Sequence, residues 1–284
     1  MVRPEPDLME RRVVYDVPMS KSGVGISSFW LKVTAIVAMT CNHVANVFAS
    51  TIPTAAMGLY PLGGITFPIM AFLLVEGYHY TSNVRRYALR LAAFAVVSQV
   101  PYSLLWGAVP NVLFTLLVSL GVLVAHDRIP SQPLFALIAG MATLATLPFD
   151  WGLVGVLTVL LFHRLRHHPH GVPMALAVPF LAIGLPPALA IVSHGPDAVG
   201  ALSMLTADPF AAAAPSFSAT NTIDDLGALP ALWATVFFAL VGFFFGSALI
   251  TRYDGRRGRP MKWFFYAYYP GHLAVIWLMS MLII

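Results

Sequence analysis

Lys32 and His43 stand eleven residues apart, and Lys262 and His272 stand ten apart. On a helix rising 1.5 Å per residue these gaps are about 16 and 15 Å, close to three turns. Each histidine therefore lies above its lysine, and His43 stands on nearly the same helix face as Lys32. An imidazole takes and returns a proton near neutral pH. A lysine at the foot of the same face suits an anion. Asn42 adjoins His43 with an amide that can orient the ring, and Tyr268 lies one turn before His272. Glu76 adds a carboxylate that is costly in an apolar medium unless paired, with Lys32, Arg85 or Arg86 as expected partners. Two arginine-rich runs complete the set: Arg85, Arg86 and Arg90, then Arg252, Arg256, Arg257 and Arg259. Guanidinium forks grip phosphate oxygens in bidentate fashion.

The elements that must position these groups are membrane helices. Hydrophobic residues make up 58% of the 284 and charged ones 10%, less than half the charge of an ordinary soluble chain. Nine stretches approach the roughly 20 apolar residues of a spanning helix: 29–49, 58–78, 87–106, 111–126, 132–148, 151–165, 172–193, 228–250 and 263–283. The expected fold is an all-α polytopic bundle of about nine transmembrane helices. Residues 1–28 form an N-terminal tail, and 29–284 form a single membrane domain with one long loop, 194–227. The first span is not read as a cleaved leader, because it carries Lys32, Asn42 and His43 and eight more spans follow.

Apart from Lys32 in span one, Lys and Arg lie before span one or in and beside the loops after even-numbered spans, while the alternate loops hold none and 194–227 holds four aspartates. The positive-inside rule then places the N-terminus in the cytoplasm and 194–227 outside. It also accounts for the net charge of +4 without a nucleic-acid partner. One cysteine, Cys41, excludes an intramolecular disulfide framework. His163, His167, His168 and His170 cluster in a polar turn but lack a companion carboxylate or thiolate nearby in sequence, so no metal site is expected.

Together these residues describe group transfer. A phosphate-rich donor bound by Lys32, Arg85, Arg86, Arg90, Arg256, Arg257 and Lys262 would extend its reactive end between the helices. The expected catalytic set there is His43, Asn42, His272 and Glu76. His43 would act as general base toward an amine or hydroxyl, or as a transient acyl carrier. Acetyl-coenzyme A fits as co-substrate, with no metal.

The run Phe67-Pro68-Ile69-Met70-Ala71-Phe72-Leu73-Leu74-Val75-Glu76-Gly77-Tyr78, continuing to Tyr80-Thr81-Ser82-Asn83, resembles the core motif of the TraX family. So does Tyr253-Asp254-Gly255-Arg256-Arg257-Gly258 followed by Lys262-Trp263-Phe264-Phe265-Tyr266-Ala267-Tyr268-Tyr269-Pro270-Gly271-His272. Shorter pieces around Leu31-Lys32, Asn111-Val112 and Trp151-Gly152 fall in family order, so the resemblance runs from 31 to 276. It implies a bacterial inner-membrane protein, since the family's founding member acetylates a conjugative pilin N-terminus. Lys32 and His43 also resemble the first-span signature of membrane acyltransferases that carry acetyl groups outward from acetyl-coenzyme A. Two departures stand out: Asn42 where the family has Asp, implying a weaker base, and Gly64 where it has Arg, implying a lost outer-side contact. The expected function is an acetyl-coenzyme A-dependent N- or O-acetyltransferase acting on an extracytoplasmic acceptor. The alternative is a non-enzymatic transporter or pilus or envelope assembly factor.

Overall fold

The computed structural model describes residues 25–194 and 228–283. Most of the expected tail 1–28 and all but the first residue of the expected loop 194–227 lie outside the described residues. The elements run α1 (Ser28–Val47), α2 (Pro53–Leu62), α3 (Thr66–Tyr80), α4 (Val84–Trp106), α5 (Val112–Arg128), α6 (Gln132–Ala145), α7 (Gly152–Arg164), α8 (Gly171–Pro179), α9 (Leu185–His194), α10 (Ala228–Thr251) and α11 (Lys262–Ile283). A 3₁₀ turn, Gly63–Ile65, joins α2 to α3, and a π turn, Phe180–Gly184, joins α8 to α9. Each pair thus forms one continuous helix. The fold is all-helical among the described residues, with one isolated parallel bridge between Ile26 and Tyr253.

Every expected apolar stretch is helical, but crossing length is another matter. Among the described residues, four helices are long and apolar enough to cross a membrane: Pro53–Tyr80, Val84–Trp106, Gly171–Ser193 and Leu229–Thr251. The segments Gln132–Ala145 and Gly152–Arg164 are apolar but shorter. The polar residues that make α1 and α11 chemically interesting are those that lower their hydropathy.

Sequence chemistry sets several boundaries. Asn83, Asn111 and Ser131 cap α4, α5 and α6, each side-chain oxygen accepting a backbone N–H of the first turn. Asn111 also donates to Ala95 O at 2.9 Å and to Gln99 Oε1 at 2.9 Å, locking the turn between α4 and α5. The outer faces are apolar: Val100, Leu137, Met141, Val192 and Leu282 are exposed. Leu31, Ile69, Leu123, Val159 and Leu273 fill the interior. Such an exposed apolar surface fits a membrane protein.

Helix polarity brings every described Lys and Arg to one end of the bundle. Tyr78 at the end of α3 donates to Asp127 at the end of α5, and His163 at the end of α7 bonds the same carboxylate. The start of α1 is tied to the α10–α11 turn by Ile26 N–H to Arg252 O and Ser28 N–H to Arg256 O, both 2.9 Å.

Gly64 has a structural reason. A Cβ there would run into the Phe238 carbonyl oxygen, and one on Gly242 would sit 2.6 Å from the Gly64 carbonyl oxygen. The two backbones touch, so α10 occupies the space a longer side chain would need. Gly64→Ala and Gly242→Ala should each lower stability by about 1–3 kcal/mol, as overpacking does. Gly121→Ala, whose Cβ meets nothing within 4 Å, should not. Melting of the purified variants checks this, and equal behaviour of all three contradicts the close crossing.

Candidate active site

Helices α1 and α11 run side by side in the same direction, joined by two side-chain bonds one turn apart. Tyr268 Oη lies 2.7 Å from Thr40 Oγ1. Thr40 donates its own proton to Ile36 O at 2.8 Å, so Tyr268 is the donor. His43 Nδ1 lies 2.8 Å from His272 Nε2, with the rings parallel to within 7°. The sequence placed these histidines at matching heights, and the fold brings them into contact.

The pair has a determinate proton arrangement. His272 Nδ1 lies 2.9 Å from the Tyr268 carbonyl oxygen, which can only accept, so Nδ1 carries the hydrogen. With both rings neutral, His272 Nε2 is then bare and must accept from His43 Nδ1–H. This assignment follows from the hydrogen-bond network. The proton-free nitrogen left over is His43 Nε2, held like the base of an oriented triad. Pro270, within the same helix, removes one N–H from the local ladder.

Below the pair, on the same two faces, lies a cavity of about 320 Å³, within the range of about 300–1,000 Å³ usual for ligand pockets. From α1 it takes Lys32, Ala35, Ile36 and Met39, and from α11 Lys262, Phe265, Tyr266 and Tyr269. Both sets have helical i, i+3, i+4, i+7 spacing. Arg90, Arg257 and Arg259 join the two lysines, so five cations surround one end. Arg90 Nε is buried without a hydrogen-bond partner. Met70, Leu113 and Leu116 make the deeper wall apolar. Tyr269, the innermost α11 residue around the cavity, touches the His272 ring at 5.6 Å between centroids. His43 and His272 do not line the cavity; its residues fit an anionic head at the cationic end and an apolar arm along the deeper wall.

The other expected residues are distributed unevenly. Asn42 does not orient His43: its amide donates to Tyr60 O at 3.2 Å and accepts from Asn46 at 3.0 Å, leaving the ring to His272. Glu76 is buried and accepts from the Tyr253 hydroxyl, whose phenol is pushed up by burial and by that carboxylate. It does not line the cavity. Lys32, expected to pair with Glu76, instead stands 5.7 Å over the Phe265 ring. Arg85 and Arg86 are exposed at the start of α4 and lie outside the lining, as does Arg256.

Sequence reasoning missed the opposite side of the pair. Trp106 packs on His43 at 4.9 Å and on Tyr102 at 5.0 Å. Tyr102 in turn lies close to the Asp150 carboxylate. Asp150 is pinned by its N–H to Pro110 O at 2.9 Å and by Thr115 Oγ1 on its carbonyl at 2.5 Å. The next residue, Trp151, has φ +62°, a left-handed backbone, and stacks 4.0 Å on Phe67. An acidic residue before Trp-Gly in an otherwise bare turn was the available signal.

Arg256 has a local duty. Asp254 accepts from its backbone N–H at 2.8 Å and from its guanidinium at 2.9 and 2.7 Å, and these bonds hold the Asp254 carboxyl below the usual range. A folded value below the unfolded ~3.9 gives stability that is fully present above the unfolded value and lost as pH falls through the folded one. Amide exchange across 254–257, corrected for intrinsic rate, should hold steady down to about pH 5 and quicken below about pH 4. Asp254→Asn should remove that step, and unchanged protection in acid contradicts the assignment.

Three comparisons with known proteins bear on this arrangement. No solved structure matches the chain. The "Probable fimbrial assembly protein FimC, serogroup H1" of Dichelobacter nodosus is 32% identical over 176 residues, covering 57% of this chain and 71% of that protein. The family profile described as "TraX protein" matches residues 27–280, which takes in α1, the cavity and α11. This chain belongs to the TraX family.

Proposed function

We propose that the chain is a membrane-embedded acetyltransferase that takes an acetyl group from cytoplasmic acetyl-coenzyme A. It passes the group to an amine or hydroxyl on an extracytoplasmic acceptor, such as a pilin-like protein N-terminus. The observation that carries this reading is the cavity between α1 and α11, cationic at one end and apolar toward the histidine pair. The fimbrial assembly relative supports a pilus-related acceptor.

In this reading the chain makes nine crossings of the bacterial inner membrane, with its basic end in the cytoplasm. The segments α6 and α7 reach only about 20 Å at 1.5 Å per residue. They cross with the help of flanking turns or a locally thinned bilayer. Lys32, Arg90, Arg257, Arg259 and Lys262 hold the donor's phosphates. Bound acetyl-coenzyme A supplies an activated thioester carbonyl. His43 Nε2 takes the acceptor's proton, while His272 and the Tyr268 carbonyl keep that nitrogen bare. Asp150, reached from His43 through Trp106 and Tyr102, gives the acceptor side a carboxylate suited to an ammonium group.

The name of the relative favours a second reading, in which the chain assists fimbrial assembly without catalysis. Donor binding separates the two. Acetyl-coenzyme A and coenzyme A should raise the melting temperature of the purified protein. Arg257→Ala, Arg259→Ala and Lys262→Ala should each weaken that binding about tenfold or more, since a hydrogen bond to a charged group is worth about 1.5–3 kcal/mol. Arg256→Ala should leave affinity nearly unchanged. No shift at millimolar donor, or equal loss in all four variants, sinks the phosphate assignment.

The proton arrangement has its own test. His272→Leu should lower acetyl transfer at least about a hundredfold, the usual worth of a positioned base, with little change in donor affinity. His272→Gln, which can still donate to Tyr268 O and accept from His43, should recover part of the rate. Equal rates for the leucine and glutamine variants contradict the relay.

A further inference from the structure

A second cluster at the basic end lies apart from the cavity lining. His126 and Asp127 end α5, and His163 comes from the last turn of α7. One ligand atom from each lies within 4.8 Å of the others. His126 Nδ1 is 3.2 Å and His163 Nε2 is 3.1 Å from the same oxygen, Asp127 Oδ1. A tetrahedral ion with bonds of about 2.0–2.2 Å needs ligand atoms about 3.3–3.6 Å apart. The two distances to Asp127 Oδ1 are therefore already close to the edges of such a tetrahedron.

We propose that His126, Asp127 and His163 form a binding site for a divalent transition-metal ion of the zinc type. Two imidazoles and one carboxylate, with no thiolate, suit Zn²⁺ or Co²⁺ better than Mg²⁺ or Ca²⁺. Half-exposed Asp127 leaves a fourth position to water. The surrounding groups orient the ligands as outer partners of metal sites do. Tyr78 Oη donates to Asp127 Oδ2 at 2.7 Å. His79 Nε2 lies 3.1 Å from His163 Nδ1 and 2.6 Å from Arg166 Nη1. Two adjustments accompany binding. With His163 Nε2 on the metal its ring hydrogen moves to Nδ1, so His79 Nε2 turns from donor to acceptor and Arg166 shifts off that ring. His126 Nε2 now accepts from Arg164 Nε–H at 3.2 Å, so coordination through Nδ1 moves the ring hydrogen to Nε2 and releases the exposed Arg164. The ion would clamp the ends of α5 and α7, and α3 through Tyr78 and His79. The sequence showed His163 only beside other histidines, and the carboxylate arrives from α5 through space.

The test uses the full-length protein, free of any polyhistidine tag and stripped with chelator, titrated with ZnCl₂ or CoCl₂. Binding of one ion per chain, a visible Co²⁺ absorption of tetrahedral type and a raised melting temperature are expected. Asp127→Asn and His163→Gln should each weaken binding at least tenfold, and Tyr78→Phe about tenfold, the lower end for an outer partner. His168→Gln and His170→Gln should bind normally. Wild-type protein that takes up less than one ion, gives a six-coordinate Co²⁺ spectrum, or loses its ion on the His168 and His170 substitutions overturns the proposal.

Discussion

A hydrogen bond between two histidines on different helices organises this protein. Imidazoles among apolar helices must find partners, because a polar group left unsatisfied there costs several kcal/mol. His43 and His272 satisfy each other at 2.8 Å, and His272 is anchored in turn to the Tyr268 carbonyl. With Thr40 and Tyr268 one turn away, this bond fixes α1 and α11 in height. The cavity below them follows, since Lys32 and Lys262 then stand at the same level and the i, i+3, i+4, i+7 faces oppose each other.

Charge is sorted along the bundle to match. Every described cation gathers at one end, where the arginines of the α10–α11 turn meet the start of α1 through backbone bonds. Within that end the arginines divide their duties. Arg257 and Arg259 face the cavity, while Arg256 is bonded to Asp254 and shapes the turn. Across the histidine pair the polarity reverses to Asp150, Tyr102 and Trp106. In the proposed function, cations on one side and a carboxylate on the other would tell an anionic donor from a cationic acceptor.

The helical segments were legible because an apolar run in a membrane protein has few alternatives to helix. The lysine–histidine spacing was legible because three turns of helix is a local property. What stayed hidden depends on tertiary contact. Asn42 adjoins His43 in sequence, yet adjacent helix residues point about 100° apart, and its amide serves Tyr60 and Asn46 instead. The close packing of Gly64 against Gly242, more than 170 residues away, was equally hidden. Asp150 and the approach of Asp127 to His163 were invisible for the same reason. Helix length was overread at α6 and α7, because flanking turn residues were counted as helix.

The central claim is that His43 is the base in the transfer of an acetyl group drawn from one side of the membrane. Its most direct test is labelled acetyl-coenzyme A supplied to inverted inner-membrane vesicles carrying the wild-type protein or His43→Ala. The account predicts label in an envelope acceptor with the wild type, at a rate that falls to the no-protein background in the variant. Equal labelling with both proteins, or none with the wild type in the presence of an envelope fraction, would contradict it.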